Sequence, residues 1–83
     1  MTAIDTNILI YACDLADEFK QSRALEIVEK TEDGILLWQV ACEFIAASRK
    51  LSSQGFTARH AGARLKEFRN LLPLVVPSAE VLV

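Results

Sequence analysis

Thr2-Ala3-Ile4-Asp5-Thr6-Asn7-Ile8-Leu9-Ile10-Tyr11-Ala12 is the stretch on which the fold turns. Three residues suited to a short buried strand run into a polar triplet, and a second apolar run begins directly beyond it. Asp, Thr and Asn side chains accept hydrogen bonds from free backbone N–H groups. Asp5-Thr6-Asn7 is therefore expected to stop the strand and cap a helix opening with Ile8-Leu9-Ile10-Tyr11.

Outward from there, residues 14–17 suit a loop, and helical spacing runs from Asp17 or Glu18 to Lys30 with Ala24, Leu25 and Val28 on one stripe. Thr31-Glu32-Asp33-Gly34 is turn chemistry, and Ile35-Leu36-Leu37 is a second strand. Gln39 to about Leu51 follows as a helix with Val40, Phe44, Ala47 and Leu51 inward, broken at Ser52–Gly55. Thr57 caps another helix carrying Ala61, Leu65, Phe68 and Leu72. Pro73 ends it, Leu74-Val75-Val76 is a third strand, and Pro77-Ser78 begins a helix reaching toward Val83.

The expected order is β-α-α-β-α-α-β-α. Continuously apolar strands separated by helices imply an α/β protein with a parallel sheet covered on both faces. Ligands of such sheets bind outside the carboxyl ends of the strands, where Asp5 stands.

The chain has 83 residues, room for one small domain, and no internal repeat. Its 52% hydrophobic and 24% charged residues are a globular composition. Cys13 and Cys42 lie in apolar stretches with no metal-knuckle spacing, so both are expected to be reduced core thiols of a cytoplasmic protein. The N-terminus lacks a basic signal-peptide region, and no apolar run approaches the roughly 18 residues that span a bilayer. The net charge of −2 is uneven. Residues 1–45 carry nine acids and three bases, and residues 46–83 carry two acids and six bases. An acidic half beside a basic half suits a metal site flanked by a polyanion-binding surface, and ordinary surface helices also show it.

Asp5 admits two readings, a capping aspartate or a metal ligand on a rigid strand end. Glu43 shares a helix face with Val40 and Ala47, at the border of the stripe that should be buried. A carboxylate there either snorkels to water and pairs with a base, or meets a cation. Paired carboxylates suit Mg²⁺ or Mn²⁺, and the lack of His or Cys partners argues against zinc. His60 is the single histidine, expected at the surface, and Gly34, Gly55 and Gly62 are too isolated for a phosphate loop. Arg49, Lys50, Arg59 and Arg64, with Lys66 and Arg69, either line a nucleic-acid backbone or are solvated helix faces.

Thr2 to Ala12 closely resembles the opening of PIN domains, particularly the VapC-like toxins of toxin–antitoxin pairs. Leu37-Trp38-Gln39-Val40-Ala41-Cys42-Glu43-Phe44 resembles their second motif at a fitting distance. The resemblance implies a three-layer α/β/α sandwich and Mg²⁺- or Mn²⁺-dependent endonucleolytic cleavage of RNA. Asp5 and Glu43 would be the first two metal-binding, catalytic acids, with Thr6 and Asn7 shaping the site. The family carries a third acid in a helix after the third strand, and often a fourth later. Glu80 stands too early to be the third. Residues 1–83 are thus expected to be a single PIN-like domain, incomplete at the C-terminus and truncated to about three strands. Weak or absent cleavage is expected, along with homo-oligomerisation through an exposed strand edge. The rival reading is a degenerate PIN-like module that binds an antitoxin or a second chain without catalysis. A phospho-receiver would want an aspartate where Pro77-Ser78 follow the third strand.

Overall fold

A computed structural model describes residues 1–76. The elements run β1 (Thr2–Ala3), α1 (Thr6–Cys13), α2 (Glu18–Lys30), β2 (Gly34–Leu37), α3 (Trp38–Ala47), a 3-10 segment (Ser48–Gln54), α4 (Ala58–Leu71) and β3 (Leu74–Val75). This is an α/β protein built on a three-stranded parallel sheet in the order β1-β2-β3. Thr2 and Ala3 stand opposite Gly34 and Ile35, and Leu36 and Leu37 opposite Leu74 and Val75. The helix expected from Pro77 onward, with Glu80, lies outside the described residues.

The sheet departs from the two-sided burial expected of it. Alternate side chains point to opposite faces. On one face Ile4, Gly34 and Leu36 are buried; on the other, Ala3 and Val75 are exposed and Ile35 and Leu37 half-buried. Handedness explains the difference. Two right-handed crossovers stepping the same way, β1 to β2 to β3, lay their helices on the same face. Contacts of α1 with α3, and of α2 with α4, agree with that placement. The described residues therefore form two layers, not the three that were expected.

The core lies between the helices and the covered face, with Phe44, Leu9, Leu36 and Leu72 fully buried. Phe44 and Phe68 meet edge to face, with ring centroids 5.5 Å apart, and join α3 to α4. On α2 the buried residues are Ala24 and Val28, one turn apart. Leu25 is exposed instead, because Gln21, not Leu25, flanks that stripe and donates to the Ala12 carbonyl at 3.2 Å. Cys42 is also exposed, on the side of α3 away from Phe44, so only Cys13 is a core thiol.

The helix expected from Gln39 to Leu51 starts at Trp38 and tightens to 3-10 geometry at Ser48. There the Ser48 hydroxyl donates to the Ile45 carbonyl at 2.7 Å, a local bond that competes with regular helix. The three-residue repeat still buries Ser48 and Leu51. Gly55 closes the segment with φ +78, which glycine adopts without a Cβ clash. The Thr57 cap on α4 is a full capping box. The Thr57 hydroxyl accepts from His60 N–H at 3.3 Å, and His60 Nδ1 accepts from Thr57 N–H at 3.0 Å. His60 is exposed, as expected, and serves as a cap.

Candidate functional site

β1 and β2 are parallel neighbours, so their carboxyl ends lie side by side. Asp5 follows the first after one residue, and α3 follows the second without a gap. The starts of α1 and α3 therefore lie at one edge of the sheet, and α1 packs against α3.

Asp5 is the N-cap of α1. Its carbonyl accepts from Ile8 N–H at 3.1 Å and from Leu9 N–H at 3.4 Å, while its side chain makes no capping bond. These are the helix's own first bonds: α1 starts at Thr6 rather than at Ile8, the expected side-chain cap is not made, and the Asp5 carboxylate is exposed. Asp33, a turn residue of positive φ, holds the opposite edge through its backbone carbonyl, which accepts from Thr2 N–H at 2.9 Å.

Thr6 is buried on the inward face of α1. Its hydroxyl donates to Glu43 Oε2 at 2.9 Å, across 37 residues of sequence. The other oxygen of Glu43, Oε1, accepts from Gln39 Nε2 at 3.2 Å, one turn earlier on α3. The two segments singled out in the sequence are thus joined by a direct side-chain bond, one residue from Asp5. Glu43 is exposed overall rather than part of the core. Neither of the two ion pairs among the described residues involves Asp5 or Glu43, so no base claims either acid.

Asn7 points to solvent and has no side-chain bond among the described residues. Of the two residues expected to shape the site, only Thr6 bonds to Glu43. The bases are dispersed. Arg49 and Lys50 stand exposed on the 3-10 segment and Arg59 on the first turn of α4. Arg64 grips Glu67 through both carboxylate oxygens, at 2.8 and 2.7 Å. It lines a shallow cavity of about 200 Å³ with Cys13, Gln54, Phe56 and His60, at the end of α1 opposite Asp5. Seven helical residues separate the two ends, roughly 10 Å at 1.5 Å per residue.

The candidate donors on the two segments are all oxygen: the Asp5 and Glu43 carboxylates and the Thr6 hydroxyl. Such a set fits a hydrated hard cation that keeps most of its waters. It does not make a cage, since no group of three or more His, Cys, Asp or Glu side chains able to hold a metal occurs among the described residues. No helix there is long and apolar enough to cross a membrane. In the sequence Gln39 has no role beyond opening a helix; its place four residues before Glu43 is the available signal. Comparison with known protein families, curated proteins and solved structures finds no match to this chain.

Proposed function

We propose that the chain is the N-terminal part of a PIN-like, Mg²⁺- or Mn²⁺-dependent endoribonuclease of the VapC-like toxin class. Asp5 and Glu43 are its first two acids. The observation that carries this reading is the Thr6–Glu43 bond. It brings the two segments that resemble the family's motifs to the carboxyl edge of a parallel sheet, where ligands of such folds are held. Asp5 and Glu43 would hold the ion and Thr6 would orient Glu43. A bound ion would supply an activated water and offset charge developing on the phosphodiester.

Two acids give weak cation binding, because charge count largely sets affinity for hard cations. Cleavage of RNA by this chain is accordingly slow or absent. The third layer of a PIN-like sandwich would cover Ile35 and Leu37 on the open face. A rival reading, favoured by the absence of a third acid among the described residues, is a PIN-like module that binds an antitoxin protein and cuts nothing. β1 has β2 as its one neighbour among the described residues, and its free edge would join homo-oligomers, readable by light scattering across a dilution series.

The test is Mn²⁺ titration of the chain, followed by paramagnetic broadening of backbone amides, with fluorescent single-stranded RNA as substrate. Broadening centred on residues 5–7 and 39–43, lost in Asp5→Asn and in Glu43→Gln, is the expected result. Broadening elsewhere, or none at any Mn²⁺ concentration the protein tolerates, overturns the assignment. Brisk cleavage abolished by Asp5→Asn would keep the function and overturn the low activity.

A further inference from the structure

We propose that Gln39 is a positioning residue for Glu43, one half of a two-point tether that fixes the carboxylate for a cation. This inference rests on the metal-site reading above. A Gln and a Glu one turn apart on a helix commonly bond to each other, so the 3.2 Å contact alone would be unremarkable helix surface. What sets this pair apart is the second donor. Thr6 reaches the other oxygen from α1 at 2.9 Å, so each oxygen of Glu43 has its own donor and the two donors come from different helices.

A carboxylate held at a single oxygen still swings about its last torsion, whose preference is broad and twofold. Held at both, it presents one plane. Each oxygen has two lone pairs, and the tether takes one from each, leaving one on each for a cation or its waters. Both donors are neutral. An Arg or Lys at position 39 would pair with Glu43 and cancel the charge that attracts a metal, whereas an amide and a hydroxyl orient it and leave the charge whole. Gln39 is exposed and makes no other side-chain bond among the described residues, so the contact to Glu43 is its one structural use there.

Groups that orient metal ligands typically contribute tenfold or more to metal affinity. The experiment compares the full chain with Gln39→Leu, which keeps the side-chain bulk and loses the donor, and with Gln39→Arg, which keeps a donor and adds a charge. Mn²⁺ affinity is read from paramagnetic broadening, thermal unfolding is read alongside, and Glu43→Gln is the control. Gln39→Leu should bind Mn²⁺ about tenfold more weakly with an unchanged Tm, and Gln39→Arg more weakly still. A purely structural role would move Tm and leave affinity alone. Wild-type affinity in Gln39→Leu, with binding lost in Glu43→Gln, overturns the tether and leaves the metal site standing. No Mn²⁺ binding by the unmodified chain overturns the metal site. The tether is then read directly from the Gln39 side-chain amide resonances, and their indifference to Glu43→Gln overturns it too.

Discussion

At one end of α1 a threonine donates to a glutamate on α3; at the other end an aspartate accepts from a glutamine that closes the 3-10 segment. The parts are alike but the outcome differs. Asp14 accepts from Gln54 Nε2 at 2.8 Å and from Ala16 N–H at 2.9 Å, and Gln54 Oε1 in turn accepts from Leu15 N–H at 3.0 Å. The Gln54 amide and then the Ala16 amide hold the Asp14 carboxyl below the usual aspartate range, against a small opposing effect of lost hydration. That carboxylate is engaged in tying the α1–α2 loop to the 3-10 segment. At the other end Glu43 takes its bonds from the Thr6 and Gln39 side chains, and the carboxylate of Asp5, next to Thr6 in sequence, makes no capping bond. Asp14 thus ties a loop to a neighbouring segment through one side-chain and one backbone donor, whereas Glu43 takes both of its bonds from side chains on two helices.

The largest expected effect separates those ends outright. Asp5→Asn and Glu43→Gln should each abolish measurable Mn²⁺ binding, while Asp14→Asn should bind Mn²⁺ as the unmodified chain does. Equal loss in Asp14→Asn would mean that the cation answers to bulk acidity and that the ends do not differ in kind.

The second effect belongs to the Asp14 end. Burial pushes the Cys13 thiol up to about 11, partly offset by the Arg64 guanidinium, with Glu67 adding a small rise. An unfolded cysteine ionises near pH 8.5, so the unfolded chain loses this proton first as pH rises. The contribution is therefore whole below about pH 8.5 and disappears as pH climbs toward the folded value. Urea unfolding at stepped alkaline pH should show that slope in the unmodified chain and a flatter one in Cys13→Ala. Replacing exposed Cys42 with Ala should leave the slope alone. Identical slopes in all three would mean that Cys13 is wetter than its position implies.

How far the sequence foretold these ends depended on what each bond needs. The strand positions, the Thr57 cap and the Phe44 and Phe68 anchors follow from local periodicity and capping, which neighbouring residues determine. Glu43 was marked by its place beside a buried stripe, and Asp5 by its place after a strand. Thr6 was expected to bond near the site, and its partner turned out to be 37 residues away. The Asp14–Gln54 bond spans 40 residues, and nothing nearby in sequence announces it. One-sided coverage of the sheet was equally hidden, because apolar strand residues read alike whether one face is covered or two. It follows from crossover handedness once strand order is known. Leu25 and Cys42 were misplaced for a simpler reason: an apolar residue at the margin of a narrow stripe has no marker that tells inside from outside.

The third effect tests whether the Asp14 link is structural. Gln54→Leu removes both of its bonds and should lower Tm by a few degrees at neutral pH. Because the folded Asp14 carboxyl lies below its usual range, its stabilisation is present above the ordinary aspartate pKa and fades as pH falls through the folded value. The gap between Gln54→Leu and the unmodified chain should therefore narrow in strong acid. A gap that holds constant with pH would assign the effect to the Leu15 bond instead.

The smallest expected effect decides whether the Glu43 end differs in purpose. Thr6→Val keeps the shape of the buried side chain and removes only the hydroxyl. The oxygen it leaves belongs to an exposed glutamate, so water can replace the donor and no buried group is stranded. Stability should fall by less than about 1 kcal/mol, the net worth of an ordinary hydrogen bond. Mn²⁺ affinity should fall as it does in Gln39→Leu, because Glu43 would again be held at a single oxygen, and Thr6→Ser should restore it. Two curves measured on one sample, urea unfolding and Mn²⁺ titration, carry the comparison. A Thr6→Val chain that loses as much stability as Gln54→Leu while keeping its Mn²⁺ affinity would make the Thr6–Glu43 bond a clamp between α1 and α3. The two ends of α1 would then be doing the same job.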